Sequence, residues 1–385
     1  MESSALVYVI LTVVTVFLAF YVQSFVVCRE NSTIGIRAEG NPEKDAQPYC
    51  GMTRARARSY VAEFAIFCLL TGVSACRIAV GNDYWVYRFN FRLIAQERHV
   101  SSEFGFNYIV KWMQQLFGYD NYLPIFALFS ILTVWFFVRA LHGQAVDYAF
   151  SLFLLMTGGY YFNSLNTVRY YLALAIAFYS MQYVLRREYG KFILWVLFGS
   201  VFHKSILLVI PAYIVMHVLS RVKLRKWHYA VGGLFILSLF FCQNIYREIV
   251  FYFYPYYRDS GFDTGNISWA NVAKCAATLA LCIICYKRSI KDNETNRFYF
   301  YLNLAALVVY PCGSFIPEIS RVGYYMMGAQ IFLIPAVLKD LPSGWFKKLC
   351  YAGVISAFTA YFVLLLRGMY ATDIRLLPYL NWIFN

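Results

Sequence analysis

The chain has 385 residues, of which 61% are hydrophobic, 20% aromatic and only 14% charged. A soluble domain is usually near half apolar and a quarter charged, so this composition excludes an ordinary soluble fold and points to a polytopic membrane protein. A formal net charge of +14 would suggest nucleic acid in a soluble chain, but the basic residues sit mostly in short loops between apolar runs, where they act as topology signals and imply no nucleic-acid partner.

The first apolar run, LVYVILTVVTVFLAFYV, follows an acid and two serines, with no basic segment and no small-residue cleavage site. It is expected to be a retained helix rather than a signal peptide. A spanning helix needs about 20 mostly apolar residues. Runs that approach this predict spans near 5–27, 60–80, 121–141, 147–163, 168–185, 191–202, 205–219, 228–245, 269–286, 298–314, 321–338 and 347–366. The fold class is therefore all-α: one polytopic transmembrane bundle over 1–385, of about twelve spans, some short or re-entrant. His203-Lys204 interrupts the apolar stretch 191–219, which predicts two short helices meeting there. Residues 28–59 are expected as a cytoplasmic loop, 81–120 as an outer loop and 246–268 as a second outer loop, a candidate lid or substrate platform. Within 81–120, FGFNYIVKWMQQLFG (104–118) is amphipathic, with Phe104, Ile109, Trp112, Met113 and Phe117 roughly on one face. It suits the outer interface or a dip back into the bilayer. The ten cysteines are scattered, and the pair Cys282 and Cys285 lies inside an apolar run with no second pair and no histidine. They read as small apolar residues rather than metal ligands.

The basic residues test the orientation. Alternate loops carry 21 of the 34 lysines and arginines, from Arg29 and Arg37 through Arg186, Arg187, Arg221 and Lys226 to Lys347 and Lys348. Cytoplasmic loops carry this excess, so both termini are expected outside. The junctions around 77–98, 163–171, 202–205 and 317–321 then face outward, with basic residues that topology does not explain.

Those junctions hold chemistry. In CRIAVGNDYWVYRFNFRLIAQER (76–98), Asp83 stands among Arg77, Arg88, Arg92 and Arg98 with aromatic residues between. Partial desolvation raises a carboxylate pKa and nearby arginines lower it; such a group suits a general base for a sugar hydroxyl or, alternatively, an Arg–Asp pair that fixes a loop. Arg169 follows Asn163 and Asn166 at the outer start of one helix, and Arg321 follows Glu318 at another. An arginine at a helix end can simply snorkel, but several from separate helices suit the oxygens of a lipid diphosphate, which the planar guanidinium grips in a bidentate way. His203 reads equally as a base or hydrogen-bonding group and as a helix-end histidine. His99, His142, His217 and His228 lie in loops or at expected cytoplasmic ends and attract no role. The motifs of zincins, P-loops, dinucleotide-binding folds and serine hydrolases are all missing, so no metal and no cofactor is expected. Nucleotide sugars and ATP are not supplied outside a bacterial plasma membrane, so a synthetic enzyme there needs a donor that carries its own leaving group, and a polyprenyl-diphosphate-linked glycan does.

At these residues the chain resembles the EpsG family, the Wzy-type polymerases of O-antigen and capsular polysaccharide. The resemblance rests on RIAVGNDYWVYR (77–88), SEFGFNYIVKWM (102–113), NTVRYYLALAIAFYSMQYVLRREYGKF (166–192), FHKSILLVIPAYI (202–214) and PEISRVGYY (317–325), in family order over about 70–340. One departure is Tyr170, where the family usually has glutamine. The resemblance implies a GT-C-like architecture in the bacterial inner membrane, acting on its outer side. It implies transfer of a growing glycan from its polyprenyl diphosphate onto a lipid-linked repeat unit, for O-antigen, capsule or exopolysaccharide, with a flippase and a chain-length regulator as further partners. The family's motif residues fall on Asp83, Tyr87, Arg88, Asn166, Arg169, His203, Glu318 and Arg321. Asp83 or His203 is then the base. Arg88, Arg169 and Arg321, with Arg77 and Arg92, surround the diphosphate, and Tyr87, Asn166 and Glu318 orient the substrate. Two other classes fit less well. A membrane O-acyltransferase would draw its acyl donor from the cytoplasm, and a lipid-linked oligosaccharide flippase would need charge along a cavity through the bilayer.

Overall fold

The structure is a computed structural model. It describes residues 2–38, 49–223, 225–253, 255–258, 265–370 and 376–383, with the side chains of 2–3, 23–38, 49–55, 229, 253 and 256 outside the description. Among the described residues every regular element is helical, and the only strand-like pairings are isolated bridges, Arg77 with Asn381 and Tyr370 with Leu377. Among the described residues, six helical segments are long and apolar enough to cross a membrane: Ser4–Val22, Arg56–Ala75, Leu123–Gln144, Lys204–Arg221, Ile319–Lys339 and Trp345–Gly368. A seventh is added if Lys226–Phe241 and Gln243–Tyr252, bent by 78°, form one broken span. The protein is thus membrane-embedded and all-helical, and the other expected spans are shorter or more polar helices. The described residues divide into two compact units, Met1–Tyr179 with Val201–His203 and Gly344–Asn385, and Ser180–Ser200 with Lys204–Ser343.

In the first unit, α1 (Glu2–Ala38) packs along α2 (Tyr49–Ala75). Both run well into 28–59, expected as a loop: a helix that satisfies its own backbone hydrogen bonds need not stop where its apolar face does. Residues 39–48 lie outside the described residues. Next come α3 (Tyr84–Ala95) and α4 (Phe104–Phe117), which fill most of the expected outer loop 81–120, then α5 (Leu123–Gln144) against α2. The face of α4 that packs inward is Phe106, Val110, Met113 and Gln114, whereas Phe104, Trp112 and Phe117 are exposed. The set expected on one face therefore splits, because Phe104, Tyr108 and Trp112 form their own stripe at i, i+4 and i+8. The expected span 147–163 breaks at Gly158-Gly159 into α6 (Tyr148–Thr157) and α7 (Tyr160–Asn163). Asp147 caps α6 by accepting from the Phe150 amide at 2.8 Å. The next helix, α8 (Val168–Leu185), follows, with its residues from Ser180 onward counted in the second unit.

In the second unit, α9 (Tyr189–Ser200) and α10 (Val209–Arg221) flank the break at 203–204, with a 3₁₀ turn over Lys204–Leu208. This matches the two short helices expected. After α11 (Lys226–Phe241), α12 (Gln243–Phe253) occupies much of 246–268, expected as a loop. The apolar positions Ile245, Ile249 and Tyr252 at i, i+4 and i+7 are a helical period. The unit is completed by α13 (Trp269–Ile284), α14 (Glu294–Cys312), α15 (Ile319–Met327) and α16 (Gln330–Lys339). Its hub is α14, which touches α10, α13, α15 and α16. Asn293 caps α14 through the Asn296 amide at 3.0 Å. Buried Gln330 donates to Asn303 at 2.7 Å and Asn303 to the Cys275 carbonyl at 3.1 Å, so these two buried amides find partners within the unit. Finally α17 (Trp345–Gly368) belongs to the first unit, with Phe362 against Phe162 and Tyr351 against Phe150.

Candidate functional site

The chain turns sharply between α2 and α3. Gly81 takes φ +104°, and a Cβ there would fall 2.1 Å from the Leu165 carbonyl oxygen, so only glycine lets this turn press onto 165–166. The Asn82 amide donates to the Asn166 side chain at 3.2 Å, and Thr167 donates its hydroxyl to Asp83 at 3.0 Å. Two hydrogen bonds thus fasten the start of α3 to the entry of α8. One turn on, Tyr87 is buried among Phe91, Phe106 and Phe126, and its hydroxyl accepts from the Arg169 amide at 3.4 Å. Burial pushes the Tyr87 phenol up against the pull of Arg169, so it serves as a neutral hydrogen-bonding group.

Arg169 pairs through Nη1 with Glu103, the residue before α4, and its guanidinium lies 5.2 Å from the centre of the Phe106 ring. The Gly105 amide donates to the Val201 carbonyl at 3.2 Å, which ties the start of α4 to 201–203. There His203 meets the ring of Tyr170 edge-on at 5.5 Å. Tyr170 thus supports the histidine at the position where the motif usually has glutamine. Segments 82–92, 103–106, 166–170 and 201–203 belong to one unit, and among the expected site residues it gathers Asp83, Tyr87, Arg88, Arg92, Asn166, Arg169 and His203.

The arginines differ in their settings. Arg88 is half-buried, 4.2 Å from the Tyr122 ring centre and 5.1 Å from that of Trp85, and no acid pairs with it among the described residues. Arg92 is exposed in the last turn of α3. Arg77 was expected to line a substrate site but is 1% exposed. Its Nη1 donates to the Ser74 carbonyl and to the hydroxyls of Ser74 and Ser130, at 3.2 and 3.3 Å, and its guanidinium lies over Phe126. Burial draws it down to about 10, and it stays charged at neutral pH. The cover comes from the far end of the chain: the Ile78 amide donates to the Leu380 carbonyl at 2.9 Å and the Trp382 amide to the Cys76 carbonyl at 3.1 Å. Arg77 is therefore a buried charge beneath the α2–α3 turn rather than a surface ligand.

Glu318 and Arg321 lie in the second unit. Arg321 Nε donates to Glu318 at 2.9 Å across one turn of α15. Of the histidines given no role, His142 meets Glu63 at 3.0 Å and His217 meets Glu294 at 3.4 Å.

The model of the EpsG family matches residues 61–381. The chain belongs to the EpsG family. The match runs from within α2 past α17 and takes in residues of both units. EpsG family members are Wzy-type polymerases, which makes this chain by membership a membrane polysaccharide polymerase of glycosyltransferase type. No curated protein and no solved structure matches it. Sequence reasoning on the EpsG pattern missed two residues that the structure brings in, Glu103 and Thr167. Glu103 carried a signal, as the acid opening the aromatic segment 104–118; Thr167 carried none, since its partner is 84 positions away.

Proposed function

We propose that the chain polymerises a surface polysaccharide on the outer face of the bacterial plasma membrane, transferring a glycan from polyprenyl diphosphate to a lipid-linked repeat unit. The bond between the anomeric carbon and the diphosphate oxygen breaks, and polyprenyl diphosphate leaves with that electron pair. The acceptor hydroxyl forms the new bond to the anomeric carbon and gives its proton to Asp83, with Thr167 holding the carboxylate in place. Arg88, Arg92 and Arg169 oppose the charge that grows on the diphosphate. Tyr87 and Asn166 fix the geometry of this group. His203 stands beside it as the alternative proton acceptor. The outward orientation rests on the loop distribution of 21 of 34 basic residues.

The observation that carries this reading is Arg88. Aromatic faces hold a guanidinium by about 0.5–2 kcal/mol each and leave its N–H edge to hydrogen-bond elsewhere. That edge meets no carboxylate among the described residues, and two parallel N–H groups match two phosphate oxygens. Deleting the gene tests the function: surface glycan on a gel should collapse from a long-chain ladder to single repeats on lipid or on their final carrier. An unchanged ladder would sink the proposal.

A further inference from the structure

The second unit contains a cavity of about 330 Å³ between the segment before α13, the end of α14 and the start of α15. That volume is at the lower end of the range for small-ligand sites, about 300–1,000 Å³. Its lining carries hydrogen-bonding groups at every side: Asn266, Ser268, Tyr310, Ser314, Glu318 and Ser320. Three isoleucines, at 267, 316 and 319, supply apolar surface between them.

Two features indicate a built site rather than a packing defect. Glu318 sits at φ 57°, ψ 23°, in the left-handed region that a non-glycine residue rarely adopts. Such strain persists where the surroundings hold it and clusters at ligand sites. Here Arg321 helps hold it, through the 2.9 Å bond from its Nε. On the cavity's inner side, α15 approaches Tyr310 so closely that a Cβ on Gly323 would fall 2.5 Å from the tyrosine ring. Only glycine lets that phenol sit against the helix.

The chemistry of the lining narrows the ligand. A phosphate would meet the Glu318 carboxylate, which repels it. A purely apolar ligand would strand the hydroxyls of Ser268, Ser314 and Ser320. A neutral sugar ring satisfies both constraints: its hydroxyls donate to the carboxylate and exchange hydrogen bonds with the hydroxyls and the amide, and its C–H faces meet isoleucine.

We propose that this cavity binds a neutral sugar ring of the lipid-linked glycan, with Glu318 accepting a hydrogen bond from a ring hydroxyl and Arg321 acting as a positioning residue for Glu318. This rests on the polymerase reading above and adds where a sugar is recognised. Ser320 and Ser314 are half-buried, so a cysteine at either position reports occupancy through its rate of maleimide labelling.

The probe is the lipid-linked repeat unit extracted from the gene-deletion strain, added to Ser320→Cys protein in proteoliposomes, with wild-type protein as the background for native cysteines. At about ten times its Kd, the repeat unit should slow labelling about tenfold, while polyprenyl diphosphate without sugar should leave it unchanged. Ser314→Cys gives the same readout should Ser320→Cys fail to fold. Glu318→Gln should abolish the protection and raise the KM for repeat unit with kcat retained. Labelling that is unaffected by repeat unit, in a preparation whose wild type polymerises it, overturns the sugar site and leaves the polymerase reading standing. Equal protection by polyprenyl diphosphate alone also overturns it. A wild-type preparation that does not polymerise the repeat unit removes the polymerase reading, and the sugar site with it.

Discussion

In the second unit, Glu294 alone collects Arg221 at 2.8 Å, His217 at 3.4 Å and Arg187 at 3.8 Å, and Arg297 is held by the Ser220 carbonyl at 2.6 Å. Around α3 in the first unit the cations are kept differently. Arg88 lies on two aromatic rings, and Arg77 on a third with serine oxygens at its edge; neither meets a carboxylate among the described residues. The first arrangement neutralises charge and ties helix ends together. The second keeps positive charge in place without neutralising it, which is what binding an anion requires. Arg169 stands between the two, paired with Glu103 yet packed on Phe106.

The sharpest way to break this contrast is at its acid. Asp83→Asn keeps the shape and removes the base, so polymer synthesis should fall by about 10²–10⁴-fold, the usual worth of a general base, with the unfolding temperature in detergent nearly unchanged. Near-normal polymer would contradict Asp83 as the proton acceptor. Arg88→Gln comes next. Losing charge-assisted bonds worth about 1.5–3 kcal/mol should cut kcat/KM for the lipid-linked repeat unit about 10–100-fold. Arg88→Lys should recover only part, because an ammonium lacks the planar fork; full recovery would mean that charge alone matters there.

Smaller effects probe the supports. Thr167→Ala removes one hydrogen bond to Asp83, worth about 1 kcal/mol, and should lower kcat severalfold while leaving substrate binding alone. A change confined to KM would place Thr167 on the substrate rather than behind the carboxylate. The smallest effect is expected in the other region. Glu294→Gln weakens half-exposed pairs worth about 0.2–1 kcal/mol each, so it should lower thermal stability slightly and leave polymer length unchanged. A loss of polymer comparable with Arg88→Gln would erase the distinction between the two regions.

Much of the helical plan was legible in the chain, because apolar runs and their interruptions are local signals. The break at His203-Lys204 and the helix that opens with Arg169 stand where the hydropathy placed them. Helix ends were less legible. Residues 246–253 of α12 were expected within a loop because tyrosine, arginine and glutamate dilute the apolar period, and α1 and α2 outrun their apolar segments. At the site, the acid, the arginines and Tyr87 were visible as residue types near a membrane exit. Arg77 was misplaced because its covering segment, 376–382, lies about 300 positions away, and Phe126 and Ser130, which hold it together with nearby Ser74, are also distant in sequence. No periodicity or charge count carries that information.

The most direct test is polymerisation of the extracted lipid-linked repeat unit by purified protein in proteoliposomes, resolved as a ladder on a gel. Wild-type protein should extend single repeats into a ladder, and Asp83→Asn protein of equal stability should leave them single. Wild-type protein that yields only single repeats, or Asp83→Asn protein that yields an undiminished ladder, would contradict the account.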